Sequence, residues 1–134
     1  MLEHTADIGF KVYGRTLNEL FENAANALFE IMAEADQNTG DFPTENFSLK
    51  MEAENEEDLL IRFLSELISL SDAVQMIFKN VHMEQLGPGF LRATYEAQPR
   101  EGYQMLLEIK AATYHQFSIK KEKDGFAAQI ILDV

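Results

Sequence analysis

The stretch IGFKVYGRTLNELFENAANALFEIM, residues 8–32, changes its hydrophobic period halfway along. Ile8, Phe10 and Val12 alternate with Gly9, Lys11 and Tyr13, the pattern of a strand with one buried face, and Gly14 ends it. Thr16 and Glu19 then form a T-x-x-E capping box, in which each side chain can satisfy an orphan backbone N–H of a helix start. Leu17, Leu20, Phe21, Ala24, Leu28 and Met32 recur at helical spacing, while Asn18, Glu22, Asn26 and Glu30 lie on the other side. This helix is expected to end near Ala35.

The same alternation of elements continues downstream. Asp36–Thr44, with Asn38, Gly40 and Pro43, reads as a loop. Phe47, Leu49 and Met51 mark a second strand. Asn55 is a plausible cap for a second helix, and Glu56, Glu57 and Asp58 suit the positive end of its dipole. Leu59, Leu60, Phe63, Leu64, Leu67 and Ile68 form its apolar face. Beyond it the chain reads as β. Val74, Met76 and Phe78 alternate, then Val81 and Met83 resume out of phase, which places a bulge near Asn80. Gly87-Pro88-Gly89 is a turn before a strand over Phe90–Ala97, and Pro99 to Gly102 is another break. Met105–Lys120 is expected to be one long alternating segment, and Asp124-Gly125 a hairpin into Phe126–Leu132. Two amphipathic helices need a sheet to pack on. The expected class is therefore α+β, with two layers and both helices on one face of a mainly antiparallel sheet.

Length and composition narrow the function. The 134 residues suit one domain over 1–134, and 46% hydrophobic with 25% charged residues is a globular profile. Acids outnumber bases 23 to 11, a net charge of −12 that repels phosphate backbones and favours cations and basic protein surfaces. Tight direct binding of nucleic acid is not expected. The absence of cysteine rules out disulfides, thiolate metal sites and a cysteine nucleophile. No apolar run is long enough for a membrane span and no signal pattern opens the chain, so a cytoplasmic protein without a membrane partner is expected.

The common catalytic signatures GxSxG, GxxxxGK, GxGxxG and HExxH are missing. What remains is Glu3-His4-Thr5-Ala6-Asp7 ahead of the first strand and Asp133-Val134 after the last. Each alone reads as turn chemistry or a solvated acid. Together they supply hard oxygen donors of the type that Ca²⁺, Mg²⁺ or Mn²⁺ prefers. Lys110-Ala111-Ala112-Thr113-Tyr114-His115 is the third feature. On a strand it would set Lys110, Ala112 and Tyr114 on one face and Ala111, Thr113 and His115 on the other. Lys110 lies in an apolar stretch, where two readings stand: a lysine snorkelling from a half-exposed strand, which spacing alone favours, or one paired with an acid near a cleft. His82 and the acidic run Glu52–Asp58 read as structural and solvated.

These pieces together resemble the archease family. The resemblance rests on His4-Thr5-Ala6-Asp7-Ile8-Gly9, on Phe21-Glu22-Asn23-Ala24-Ala25, on Phe63-Leu64-Ser65-Glu66-Leu67, on Lys110-Ala111-Ala112-Thr113-Tyr114-His115, and on the closing Asp133-Val134. It covers almost the whole chain. Where many members carry a histidine before the KA-x-TYH strand, this chain has Tyr103-Gln104-Met105-Leu106. The resemblance implies a non-catalytic protein cofactor of an RtcB-type, GTP-dependent RNA-splicing ligase, which promotes guanylylation and multiple turnover of that ligase in tRNA splicing. It also implies a divalent ion, calcium first and magnesium or manganese next. The ion would be held by Asp7, Asp133 and a main-chain oxygen of Val134, with His4, Lys110 and His115 lining the site or contacting the partner. Two other readings stand beside it. One is a chaperone-like modulator of RNA- or DNA-modifying enzymes such as methyltransferases. The other is a metal-assisted hydrolase using Lys110 or His115 as acid or base.

Overall fold

The computed structural model describes residues 7–134. Strand β1 (Asp7–Gly14) buries Val12 and exposes Lys11 and Tyr13, as its alternation requires. It closes at Gly14 because the chain turns straight into a helix. A Cβ at Gly14 would lie 2.3 Å from the backbone nitrogen of Leu20, so no larger residue fits there. In α1 (Leu17–Met32) the Glu19 N–H donates to Thr16 Oγ1 at 3.1 Å, the cap the sequence announces. The helix stops at Met32, short of the expected Ala35. Ala33–Ala35 forms a short strand, β2, that pairs with Tyr103–Met105, so ladder partners override alanine's helical propensity.

After a loop containing a 3-10 turn over Thr39–Asp41, β3 (Glu45–Glu52) leads to α2 (Glu56–Val74). The Asp58 N–H donates to Asn55 Oδ1 at 2.8 Å, which fixes the start of α2. Val74, expected in a strand, is the last residue of this helix. Gln75 adopts a left-handed conformation (φ 56°) as its C-cap, and β4 (Met76–Gly87) begins one residue later. The phase slip falls where the sequence puts it: Asn80 has φ 52° and the pairing with β5 (Phe90–Pro99) shifts between Lys79 and His82.

The long segment expected over Met105–Lys120 is broken into pieces. Tyr103–Met105 is β6, Ala111–Thr113 is β7 and Ile119–Glu122 is β8. The N–H groups of Leu106 and Leu107 both donate to the Met32 carbonyl at the end of α1, at 2.8 and 3.2 Å, which draws that stretch off any sheet. Gln116, at φ 51°, turns the chain between β7 and β8. The β8–β9 hairpin (β9, Gly125–Asp133) follows the Asp124-Gly125 signal.

The class is α+β, as expected, and the described strands pair antiparallel. They form three sheets rather than one: β1-β9-β7 with β8 also on β9, β3-β5-β4, and β2-β6. Phe21, Leu28, Phe63 and Leu67 are fully buried, and the Phe21 and Phe63 rings stack with centroids 6.4 Å apart, joining the two helices.

The polar helix faces are not simply solvated. From α1, Asn26 Oδ1 accepts the Val81 N–H (3.1 Å) and Glu22 Oε2 the Met83 N–H (2.8 Å), both on the edge of β4, while Asn23 donates to the Tyr13 carbonyl of β1 (2.7 Å). His82 Nδ1 lies 3.0 Å from Glu22, so its structural reading holds. Three side chains of one helix thus cover two strand edges that would otherwise present unpaired backbone groups. Among the described residues, no helix is long and apolar enough to cross a membrane.

Candidate functional site: the carboxylate end of the β1-β9-β7 sheet

Strand β9 runs between β1 and β7, and the register sets Asp7 opposite Asp133 and Asp133 opposite Ala111. Directly opposed residues share a sheet face. Ile8 and Leu132 turn toward the core, with Leu132 fully buried, so Asp7 and Asp133 turn to the outer face. Asp7 is exposed and Asp133 and Val134 are half-buried. Opposed side chains on neighbouring strands have Cβ atoms about 4.5–5.5 Å apart, close enough for two carboxylates to act on one ion. The two chain ends that sequence could not connect are therefore side by side.

The described neighbours along the strands leave the pair open. Ala111 on one side is small, and Gly9, next on the same face of β1, has no side chain. A Cβ there would come within 3.0 Å of Ile131 Cδ1. The Asp133 carbonyl already accepts the Lys110 N–H at 2.8 Å, which leaves its carboxylate as the available donor. Among the described residues no cluster of three or more His, Cys, Asp or Glu side chains forms, so a third donor has to be a main-chain oxygen or water. An all-oxygen set of two carboxylates with open positions suits a hard divalent cation and not a soft transition metal. Like charges directly opposed on a sheet destabilise it, and a cation relieves that repulsion.

Of the other expected residues, Lys110 adjoins the pair through its N–H to the Asp133 carbonyl, and His115 does not. Lys110 is exposed and lines a cleft of about 690 Å³ with Arg100, Met105 and Leu106, between α2 and the 105–110 stretch. It makes no ion pair among the described residues, which favours the snorkelling reading over pairing with an acid. β7 ends at Thr113, so Tyr114 and His115 do not continue its faces, and His115 is exposed beyond the strand. His4 lies outside the described residues.

What sequence reading missed is how α2 holds the KA-x-TYH segment. Ser65 Oγ accepts the Ala112 N–H (3.1 Å) and donates to the Ala112 carbonyl (3.2 Å). The Tyr114 hydroxyl donates to Asp58, and Glu57 accepts the Ile119 N–H at 2.8 Å. The acidic run at the start of α2 is thus a set of tethers. A polar Ser65 inside the run Phe63-Leu64-Ser65-Glu66-Leu67 was the one available signal.

These tethers carry a pH signature. The Tyr114 hydroxyl, the largest influence, helped by the Glu54 N–H and Arg62, holds the Asp58 carboxyl below its ordinary 3.8, although burial, second in size, opposes it. Burial, followed by the bond to Asp58, pushes the Tyr114 hydroxyl above 10.0. A carboxyl depressed in the folded state stabilises above its unfolded pKa, and that contribution is lost as pH falls through the folded value. Tyr114→Phe is expected to raise the Asp58 pKa toward 3.8 and to flatten the acid limb of stability against pH. Side-chain carboxyl NMR titration checks the first and acid unfolding the second; superimposable curves for variant and wild type would refute the assignment.

Residues 1–134 match the model of the Archease protein family. The chain is 35% identical to the protein archease of Methanosarcina barkeri, over 99% of this chain and 93% of that one, and 37% identical to that of Thermococcus gammatolerans, over 98% and 95%. Its fold superposes on the crystal structure of an archease from Thermotoga maritima with a TM-score of 0.73 and 25% identity, covering 100% of this chain and 95% of that one. The solution structure of protein 1598 from Methanobacterium thermoautotrophicum gives a TM-score of 0.63 at 33% identity, covering 99% and 96%. With its whole length matched, its fold shared and the Asp7 and Asp133 ends joined across one pair of strands, this chain belongs to the archease family.

Proposed function

We propose that this protein is a non-catalytic accessory factor, acting in the cytoplasm, that activates an RtcB-type GTP-dependent RNA-splicing ligase and promotes its guanylylation and multiple turnover in tRNA splicing. Asp7, Asp133 and a main-chain oxygen of Val134 hold a divalent ion, calcium in first place. The observation that carries the reading is the Asp7–Asp133 register, which puts two carboxylates on one face with no ion pair to either among the described residues. When bound, the ion supplies positive charge and orders this end of the sheet. The protein's own groups then present a fixed acidic surface to a basic enzyme, and the net charge of −12 favours such a partner over RNA itself.

The hydrolase reading fits less well. An acid or base must stand within hydrogen-bond reach of the reacting group, whereas His115 lies four residues along from Ala111, beyond the far end of β7, and Lys110, bonded to Asp133 through its N–H, lines the cleft beside Arg100.

The test is ligation of RNA bearing a 3′-phosphate by a limiting amount of the cognate ligase. Many turnovers per ligase are expected with this protein present and about one without it. Equal product in both reactions would overturn the proposal.

A further inference from the structure

The outer face that carries Asp7 and Asp133 continues along β1 and β9 and changes character. Two rows on, Lys11 lies opposite Gln129; in the next row Ala127 of β9 is flanked by Tyr13 of β1 and by Lys120 of β8. These residues line one hollow of about 240 Å³, with Gln116, Ser118 and Glu122 on the β8 side. Ala127 and Gln129 form its floor, and Tyr13 and Lys11 form one wall. The small Ala127 leaves the Tyr13 ring standing free, 58% exposed. Neither lysine is in an ion pair among the described residues. In a chain with twice as many acids as bases, two lysines against one acid, Glu122, around one hollow are a local reversal of charge. β1 and β8 stand two strand spacings apart, about 10 Å, a gap that two lysine side chains can close onto a single phosphate.

We infer that this hollow seats one nucleotide unit of a single-stranded RNA, with the base on the Tyr13 ring and the phosphate between Lys11 and Lys120. An exposed aromatic ring next to paired cations is the arrangement that binds single strands without reading sequence. Gln129, Gln116 and Ser118 offer hydrogen bonds to the ribose and base edge. An acidic peptide would also meet the lysines but has no use for the ring. One nucleotide's contacts against a net charge of −12 give weak binding, so the seat adds to a strand already held by a partner and is compatible with low affinity for free tRNA. It goes beyond the proposed ligase role and needs neither the ligase nor the ion.

The experiment is a backbone-amide NMR titration of the isolated protein with hexauridylate at about 20 mM salt, with EDTA present. Shifts are expected at Lys11–Tyr13, Gln116–Lys120 and Ala127–Gln129. Tyr13→Ala is expected to weaken the interaction about tenfold. Lys11→Gln combined with Lys120→Gln is expected to remove it. All three side chains are exposed, so the variants should fold as wild type, which their spectra report directly. The inference is overturned by an absence of shifts, by equal affinity of Tyr13→Ala, or by hexaglutamate or inorganic phosphate shifting the same amides as strongly as the RNA. Ligase stimulation is measured separately, so either proposal can fail alone.

Discussion

Phe63→Ala is expected to cost about 3–5 kcal/mol of folding stability. Phe63 is fully buried and stacks on Phe21, so truncation leaves a cavity at the contact between α1 and α2 that neither helix can fill without moving. A domain of this size has about 5–15 kcal/mol in total, so the variant should be close to unfolding at physiological temperature. Urea unfolding followed by circular dichroism measures the loss. A cost near that of an exposed substitution, about 0.5 kcal/mol or less, would mean that the helix packing described above is wrong.

The second large effect concerns the carboxylate pair, and its sign depends on the ion. With calcium at about a hundred times its dissociation constant, wild type should gain about 2.7 kcal/mol, read as a rise in melting temperature. Asp7→Ala and Asp133→Ala should each lose that gain and each lower ligase stimulation strongly. The double variant should lose little more, because residues acting as one site are not additive. In EDTA the order reverses. Removing one of two opposed carboxylates relieves their repulsion, so each single variant should be as stable as wild type or slightly more so. A pair that is merely structural predicts no dependence on calcium, and variants that stimulate the ligase fully would dismiss the site.

Much of the local structure was legible because local rules wrote it. The alternation of Ile8, Phe10 and Val12, the caps at Thr16 and Asn55, the slip at Asn80 and the hairpin at Asp124-Gly125 each depend on residues within a few positions of one another. The Met105–Lys120 stretch was misread for the complementary reason. Its alternation reported which side chains face inward, but not that the Met32 carbonyl, some 70 positions earlier, would take the N–H groups of Leu106 and Leu107.

The amino-acid sequence by itself determined both helices with their caps and buried stripes, the β1, β3, β4, β5 and β9 alternations in their order, and the stock of oxygen donors at Asp7 and Asp133. Only the tertiary structure decided that these two acids lie opposite each other, that His115 lies beyond the end of β7, and that Glu22, Asn23, Asn26, Asp58 and Ser65 bind strand edges and loops instead of water. The physical reason is range. Hydrophobic periodicity encodes a face, whereas the meeting of Asp7 and Asp133 is set by the register of a strand pair more than a hundred residues apart, and a polar helix position looks the same whether it meets solvent or an unpaired backbone group.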